Sequence, residues 1–223
     1  MSSTIEAEQH LRVIRSLMEK ATLYRALSAP GALTGGLASL VATAIGCFFL
    51  PSLSNFFVIW CSVLLFTLAT NLLLLRKDAQ RRNEPFLSSG MRLAARALLP
   101  ALFGGGLSIF LNHPLNLLSL TTSWILFYGI SLLAASHFAP PAIRNLGIAF
   151  FTAALVVIPI GSAYSWTLSP QITNSNLLLG FHFTSSEVTL IPNITAAHLL
   201  MGATFGLFHI IYAICTWPRS SAS

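Results

Sequence analysis

The sequence has very few charged residues for its length. Only 8% of its 223 residues are charged, whereas 55% are hydrophobic and the mean hydropathy is +0.76. Soluble globular domains carry about 25% charged residues, which they need to cover their surface. The shortage of charge therefore excludes an ordinary soluble domain and favours a multi-pass membrane protein. In such a protein the net charge of +6 reports orientation and does not indicate nucleic acid as a partner.

Acidic residues are missing from every long apolar stretch, and recognisable catalytic motifs are missing from the whole chain. Carriers coupled to protons or cations use carboxylates inside the membrane, so a neutral or lipid-like ligand is the better match. The three cysteines all lie in apolar stretches, at spacings that suit neither a disulfide framework nor a metal site. HExxH and P-loop motifs are absent. We therefore predict no cofactor and no metal, and the sequence argues against an enzyme.

Six apolar segments are long enough to be transmembrane helices, which need about 20 apolar residues. The predicted fold is therefore all-α. The third segment is the weakest, because it must take in Arg96 to reach a full span, and a break at Gly104-Gly105-Gly106 is the alternative. The predicted spans are 30–50, 55–75, 93–111, 117–138, 146–165 and 195–217.

The basic residues predict the orientation of these segments. All twelve lie before the first segment, at the even-to-odd connections or their edges (Arg96 being at the edge of the third segment), or after the last segment, and the loops 51–54, 112–116 and 166–194 have none. The positive-inside rule then places both termini in the cytoplasm. The predicted location is the inner membrane of a bacterium.

The remaining parts of the chain divide into three predicted units. Residues 1–29 form a cytoplasmic amphipathic helix, residues 30–217 the six-helix domain, and residues 218–223 a short cytoplasmic tail. The N-terminal helix and the loop RKDAQRRNEP are expected to contact anionic lipid headgroups or a membrane partner. The outer loop 166–194 is too apolar to be freely solvated, which favours a lid or a segment in the membrane interface.

The stretch HLLMGATFGLFHIIYA in the sixth segment carries two histidines, eleven residues apart. At about 100° per residue, one polar face is predicted to contain His198, Gly202, Phe205, His209 and Tyr212. Polar groups within a bilayer generally face the bundle interior. Asn71 and Arg96 are two further candidates for this polar interior, although an arginine at that depth more often extends to the interface.

Two chemical alternatives use these histidines. Haem would need a second histidine from another helix, and the partners open to His198 are His113 and His182, with His137 near the membrane edge. The pair Ala197-His198, followed by small residues in a sixth helix, resembles the histidine helix of the rhomboid proteases. That resemblance implies a dyad between His198 and Ser123 near the outer end of the fourth segment. The GxSG serine motif of that family is absent, because Ser123 lies in TTSWIL.

The sequence as a whole predicts a small transport-type or membrane-accessory (scaffold) protein. Its ligand would be neutral or lipid-like, or it would serve a membrane partner or a second copy of itself. A membrane-embedded enzyme or haem carrier built around His198 is the alternative. Whether the two histidines have a chemical role or only pack between helices depends on which residues they contact.

Overall fold

The computed structural model of the protein describes residue 10 and residues 28–49, 52–81, 89–111, 116–136, 140–168 and 187–217. Within these ranges the secondary structure is helical and contains no strand. The first five helices are α1 Ala29–Phe48, α2 Leu53–Arg81, α3 Ser89–Leu111, α4 Leu117–Ala135 and α5 Pro141–Leu168. The last segment consists of α6 Glu187–Met201, a π-helical turn Gly202–Phe208 and α7 His209–Thr216, which we call together the sixth segment.

Five of these segments are long and apolar enough to cross a membrane. They are Ala29–Phe48, Leu53–Arg81, Leu117–Ala135, Pro141–Pro159 and Asn193–Thr216. The apolar part of α3, Arg96–Leu111, is shorter than a full span. α3 nevertheless runs as one helix through its three glycines, so the predicted alternative of a break there is wrong. The all-helical, multi-pass class is confirmed, and the sixth crossing stays a prediction.

Small residues let α1 approach two neighbours closely. Ser28 caps its first turn by accepting a hydrogen bond from the Gly31 amide at 3.3 Å. On one neighbour, Gly31 and Gly35 lie against Asn71 and Thr67 of α2. The sixth segment packs against the other glycines of α1. Close backbone approach is how helices associate in lipid, where apolar burial contributes little to association.

The other half of the bundle is built around α4. The Asn116 side chain caps this helix by accepting from the amides of Leu118 and Ser119. Against α5, Gly129 allows the two backbones to touch near Phe150. Against α3, the indole of Trp124 donates to the carbonyl of Gly105 at 3.0 Å.

Two clusters of buried side chains make up the core. The first, which we call the Phe56 cluster, contains Ala42, Phe56, Trp60, Leu117, Leu120, Ile194, Ala197 and Met201. The second, the Phe150 cluster, contains Ala32, Ile125, Leu132, Ile143, Leu146, Phe150, Ala154, Tyr212 and Ala213. Phe205 packs against both clusters, so the sixth segment connects the two ends of the core.

The outer loop is shorter than predicted. α5 extends to Leu168 and α6 begins at Glu187, so both ends of the predicted loop 166–194 are helical. Apart from residue 10, the predicted amphipathic helix lies outside the described residues. The middle of this loop and the C-terminal tail lie outside them as well.

Candidate functional site

The two histidines of the sixth segment face different neighbours. His198 lies against Gly46 of α1 and Trp60 of α2. His209 lies against Tyr128 of α4 and Phe150 of α5. The two histidines, which the sequence places on one face, therefore contact different helices.

The π-helical turn between the histidines is the cause. A π-helical hydrogen bond spans five residues instead of four, so such a turn takes up about one residue more than an α-helical turn. Ten α-helical steps of about 100° place His209 roughly a quarter-turn away from His198, whereas eleven steps would align them. The four-residue spacing of a wide turn also directs Gly202 and Gly206 toward α1, where they meet Thr43 and Leu40.

His198 is completely buried and fixed by aromatic neighbours. Its Nδ1 atom lies 3.1 Å from Nε1 of Trp60, which can only donate. The Phe56 ring packs edge-on at 4.9 Å between ring centroids. A Cβ atom at Gly46 would overlap the imidazole, so this glycine makes room for the ring. The backbone is close to α1 as well, because the Thr43 hydroxyl, which donates to the Ser39 carbonyl at 2.9 Å, also lies 3.2 Å from the His198 carbonyl.

This geometry bears on the serine–histidine dyad. Because Nδ1 of His198 accepts from Trp60, the neutral imidazole carries its proton on Nε2. A general base needs a free lone pair to take the proton of a serine hydroxyl, and in this tautomer neither nitrogen offers one. The Ser123 hydroxyl donates instead to the Ser119 carbonyl at 2.9 Å. The described residues therefore do not form the dyad that the rhomboid resemblance implied.

His209 has partners for both ring nitrogens. Nδ1 lies 2.9 Å from the carbonyl of Phe205, and Nε2 lies 2.8 Å from the hydroxyl of Tyr128. The carbonyl can only accept, so Nδ1 donates and Nε2 accepts from the phenol. The backbone amide of His209 bonds to Gly206 rather than to its α-helical partner Phe205, a change that accompanies the end of the π turn. The lone pair of Nε2 and the proton of Nδ1 are therefore both engaged in hydrogen bonds within the bundle.

The other predicted residues lie at several places. Tyr212 is buried in the Phe150 cluster, Gly202 packs on α1, and Phe205 stacks on His209 at 6.2 Å between ring centroids. Asn71 lies at the contact of α1 and α2, and its amide donates to Thr67 at 2.9 Å. Arg96 is exposed, so the prediction that it belongs to the polar interior is wrong.

Three residues that complete these sites were not among the predicted candidates: Gly46, Trp60 and Tyr128. Gly46 belongs to the small-residue face of α1, and Tyr128 belongs to the polar face of α4. Both faces can be recognised from the sequence. Trp60 carries no such signal, because an aromatic residue in an apolar helix is more often simple core. Pairing between helices is a tertiary property that a single-helix pattern does not contain.

The same residues bear on whether the chain could hold a metal ion or haem. Among the described residues, no group of three His, Cys, Asp or Glu could hold a metal ion. Haem ligation by Nε2 of His209 would require breaking its hydrogen bond with Tyr128. His113, His137 and His182, the predicted partners for haem, lie outside the described residues.

Comparison of the chain with protein-family models, with curated proteins and with solved structures found no match. The fold itself defines the class. The described chain is all-helical, and five of its segments have the length and apolar composition of membrane-spanning helices. These are the features of a multi-pass membrane protein.

Proposed function

We propose that the chain crosses the inner membrane of a bacterium six times, with both termini in the cytoplasm. α1 and the sixth segment are antiparallel neighbours, because Gly46 meets His198 at one end and Gly36 meets Ile210 at the other. An antiparallel first and last segment requires an even number of crossings. α3 supplies the sixth, since its 23 residues measure about 34 Å. The hydrocarbon core to be crossed is about 30 Å thick.

Cysteine labelling tests this topology. Asn83→Cys, before α3, and Asn112→Cys, after it, are each placed in a chain whose native cysteines are replaced. A membrane-impermeant maleimide added to intact spheroplasts should label Asn112→Cys at once and Asn83→Cys only after permeabilisation. Labelling of both sites from the same side would show that α3 does not cross.

The role that the geometry supports best is that of a membrane-accessory protein, a scaffold that serves a membrane partner or a second copy of itself. The observation that carries it is the use of both histidines, the buried His198 and the half-buried His209, as contacts between helices. His198 joins α2 and the sixth segment through Trp60, and His209 joins α4 and the sixth segment through Tyr128. A carrier for a polar solute would instead direct such groups toward a pathway. Interhelical hydrogen bonds of this kind stabilise a bundle by about 0.6 kcal/mol each.

α2 offers the surface for a partner. It is 29 residues long, yet its buried residues are only Phe56 and Trp60, both near its start. The rest of the helix contacts α1 through Thr67 and Asn71 and is otherwise largely exposed. At its end Arg76, Lys77 and Arg81 are exposed, where they suit anionic lipid headgroups at the cytoplasmic face.

Two native cysteines allow a matched test. Cys61 is exposed on α2, and Cys215 is exposed on α7. A chain that retains only Cys61 and a chain that retains only Cys215 are each treated in native membranes with a bismaleimide. The accessory role predicts a cross-linked species for Cys61 and a monomer for Cys215. Equal cross-linking of both variants, or of neither, would contradict a second copy of the chain as the partner on α2.

A transport-type role for a lipid-like ligand is the second candidate, and the π-helical turn favours it. π turns are rare and often occur at functional sites. This one lies between His198 and His209, and its Gly202 and Gly206 pack against Thr43 and Leu40 of α1. Liposomes containing the protein and a fluorescent phosphatidylcholine test it. Quenching of more than half of the fluorescence by external dithionite would support lipid transfer, and quenching equal to that of protein-free liposomes would exclude it.

A further inference from the structure

The Nε2 atom of His198 has no hydrogen-bond partner among the described residues, although it is buried. Trp60 fixes the tautomer, so this atom carries the ring proton and can only donate. An unpaired buried donor costs about 1–3 kcal/mol, and most such groups in proteins are paired. Of the described buried side-chain polar atoms, only the Ser131 hydroxyl shares this condition, and a hydroxyl can rotate while the imidazole is fixed.

The depth of His198 in the bundle indicates what could reach it. Gly46 lies two residues before the end of α1, and Phe56 lies three residues after the start of α2. At about 1.5 Å per residue, the imidazole is therefore within about 5 Å of the ends of these helices. In the proposed topology this end faces the outer leaflet, at the level where headgroups and water meet the acyl chains.

The neighbours of the ring limit the chemistry of a ligand. A protonated nitrogen cannot coordinate a metal or bind a cation. An anion at a fully buried site would need a balancing positive charge, and the rings that pack on this imidazole are the uncharged ones of Phe56 and Trp60. A neutral oxygen acceptor meets both conditions.

We propose that the Nε2–H group of His198 is the donor of a site for a neutral oxygen acceptor at this end of the bundle, beside Phe56 and Trp60. Two sources share this chemistry: an internal water molecule and the ester carbonyl of an outer-leaflet lipid. The inference rests on the proposed topology but not on the accessory role, which the cross-linking test examines separately.

Solid-state NMR of the full chain in vesicles tests the site. The protein is labelled with ¹⁵N-histidine and placed in phosphatidylcholine carrying ¹³C at its ester carbonyls. We expect a signal from a bare Nδ1 and a protonated Nε2 that is present in the native chain and lost in His198→Phe. Dephasing of that Nε2 signal by the lipid ¹³C would identify the ester carbonyl, and a cross-peak between its proton and water would identify a water molecule.

Two results would overturn the proposal. One is a His198 ring whose Nε2 is bare, because it would then accept rather than donate. The other is a protonated Nε2 with neither lipid dephasing nor a water cross-peak, because its partner would then belong to the chain. Trp60→Phe is the companion variant, since it keeps an aromatic ring while removing the donor that fixes the tautomer. It should shift the ring toward a mixture of tautomers.

Discussion

Gly46→Ala places one methyl group at the contact between α1 and His198. The added Cβ would overlap the imidazole, which Trp60 and Phe56 hold from the other sides. Overpacking of this kind costs about 1–3 kcal/mol. Displacement of the ring would also lose the hydrogen bond from Trp60, worth about 1 kcal/mol. Alanine regains up to about 1 kcal/mol through its higher helix propensity, so we expect a net loss of roughly 1–3 kcal/mol.

Gly106→Ala is the matched control. It is also a glycine inside a helix, but a Cβ atom there would have nothing within 4 Å. Helix propensity alone then applies, and stability should stay the same or rise slightly. Both variants are unfolded in mild detergent by heat, with tryptophan fluorescence and far-ultraviolet circular dichroism as the two readouts.

A double-mutant cycle separates the steric clash from a general effect on α1. With His198→Ala in the background, the obstacle to a Cβ at position 46 is gone, so Gly46→Ala should cost much less than it does alone. The reasoning is refuted if Gly46→Ala behaves like Gly106→Ala. It is refuted equally if the cost of Gly46→Ala is the same with and without the imidazole.

Two further predictions concern the other half of the bundle. A cycle of Tyr128→Phe and His209→Phe should give a coupling of about 0.6 kcal/mol and no more than about 1.7 kcal/mol in thermal unfolding, and no coupling would contradict the hydrogen bond between them. Gly129→Ala should destabilise the protein more than Gly105→Ala. The first Cβ would come within 2.7 Å of a backbone nitrogen of α5, which cannot yield, whereas the second would meet an indole at 3.5 Å. Equal effects of the two alanines would contradict the backbone contact.

Much of the fold follows from the sequence, because membrane helices are specified by local composition. Each apolar run coincides with a helix over most of its length. The small residues of α1 at 31, 35, 39 and 46 are all buried. The spacing of the apolar residues in the sixth segment likewise indicates its outer face, since Leu207, Ile211 and Ile214 are exposed. These properties depend on residues of one helix only.

The candidate site was less predictable, because its geometry depends on two or more helices at once. No pattern within the sixth segment indicates that Trp60 and Tyr128 are the partners of its histidines. The charged Arg96 was assigned to the interior by its position in an apolar run, yet the helix turns that side chain outward. The π turn was unpredictable for a different reason: its sequence, GATFGLF, fits an α-helix equally well.

The π turn also leads to the clearest prediction about the register of the sixth segment, that is, about which of its residues face which neighbours. If it takes up one extra residue, deletion of the exposed Ala203 should convert it into regular α-helix while His198 and His209 keep their neighbours. Deletion of Ile211, an equally exposed residue in α7, has no such turn to absorb it. That deletion should rotate Tyr212 and Ala213 by about 100° relative to the rest of the segment, away from the Phe150 cluster.

Thermal unfolding of the two deletions distinguishes register from mere loss of a residue. Loss of Ala203 should leave the midpoint close to that of the full chain and preserve the coupling between Tyr128 and His209. Loss of Ile211 should expose two buried side chains and cost several kcal/mol, because the replaced core contacts are apolar. If both deletions destabilise the protein equally, the π turn does not set the register of the sixth segment. The quarter-turn between the two histidines would then need another cause.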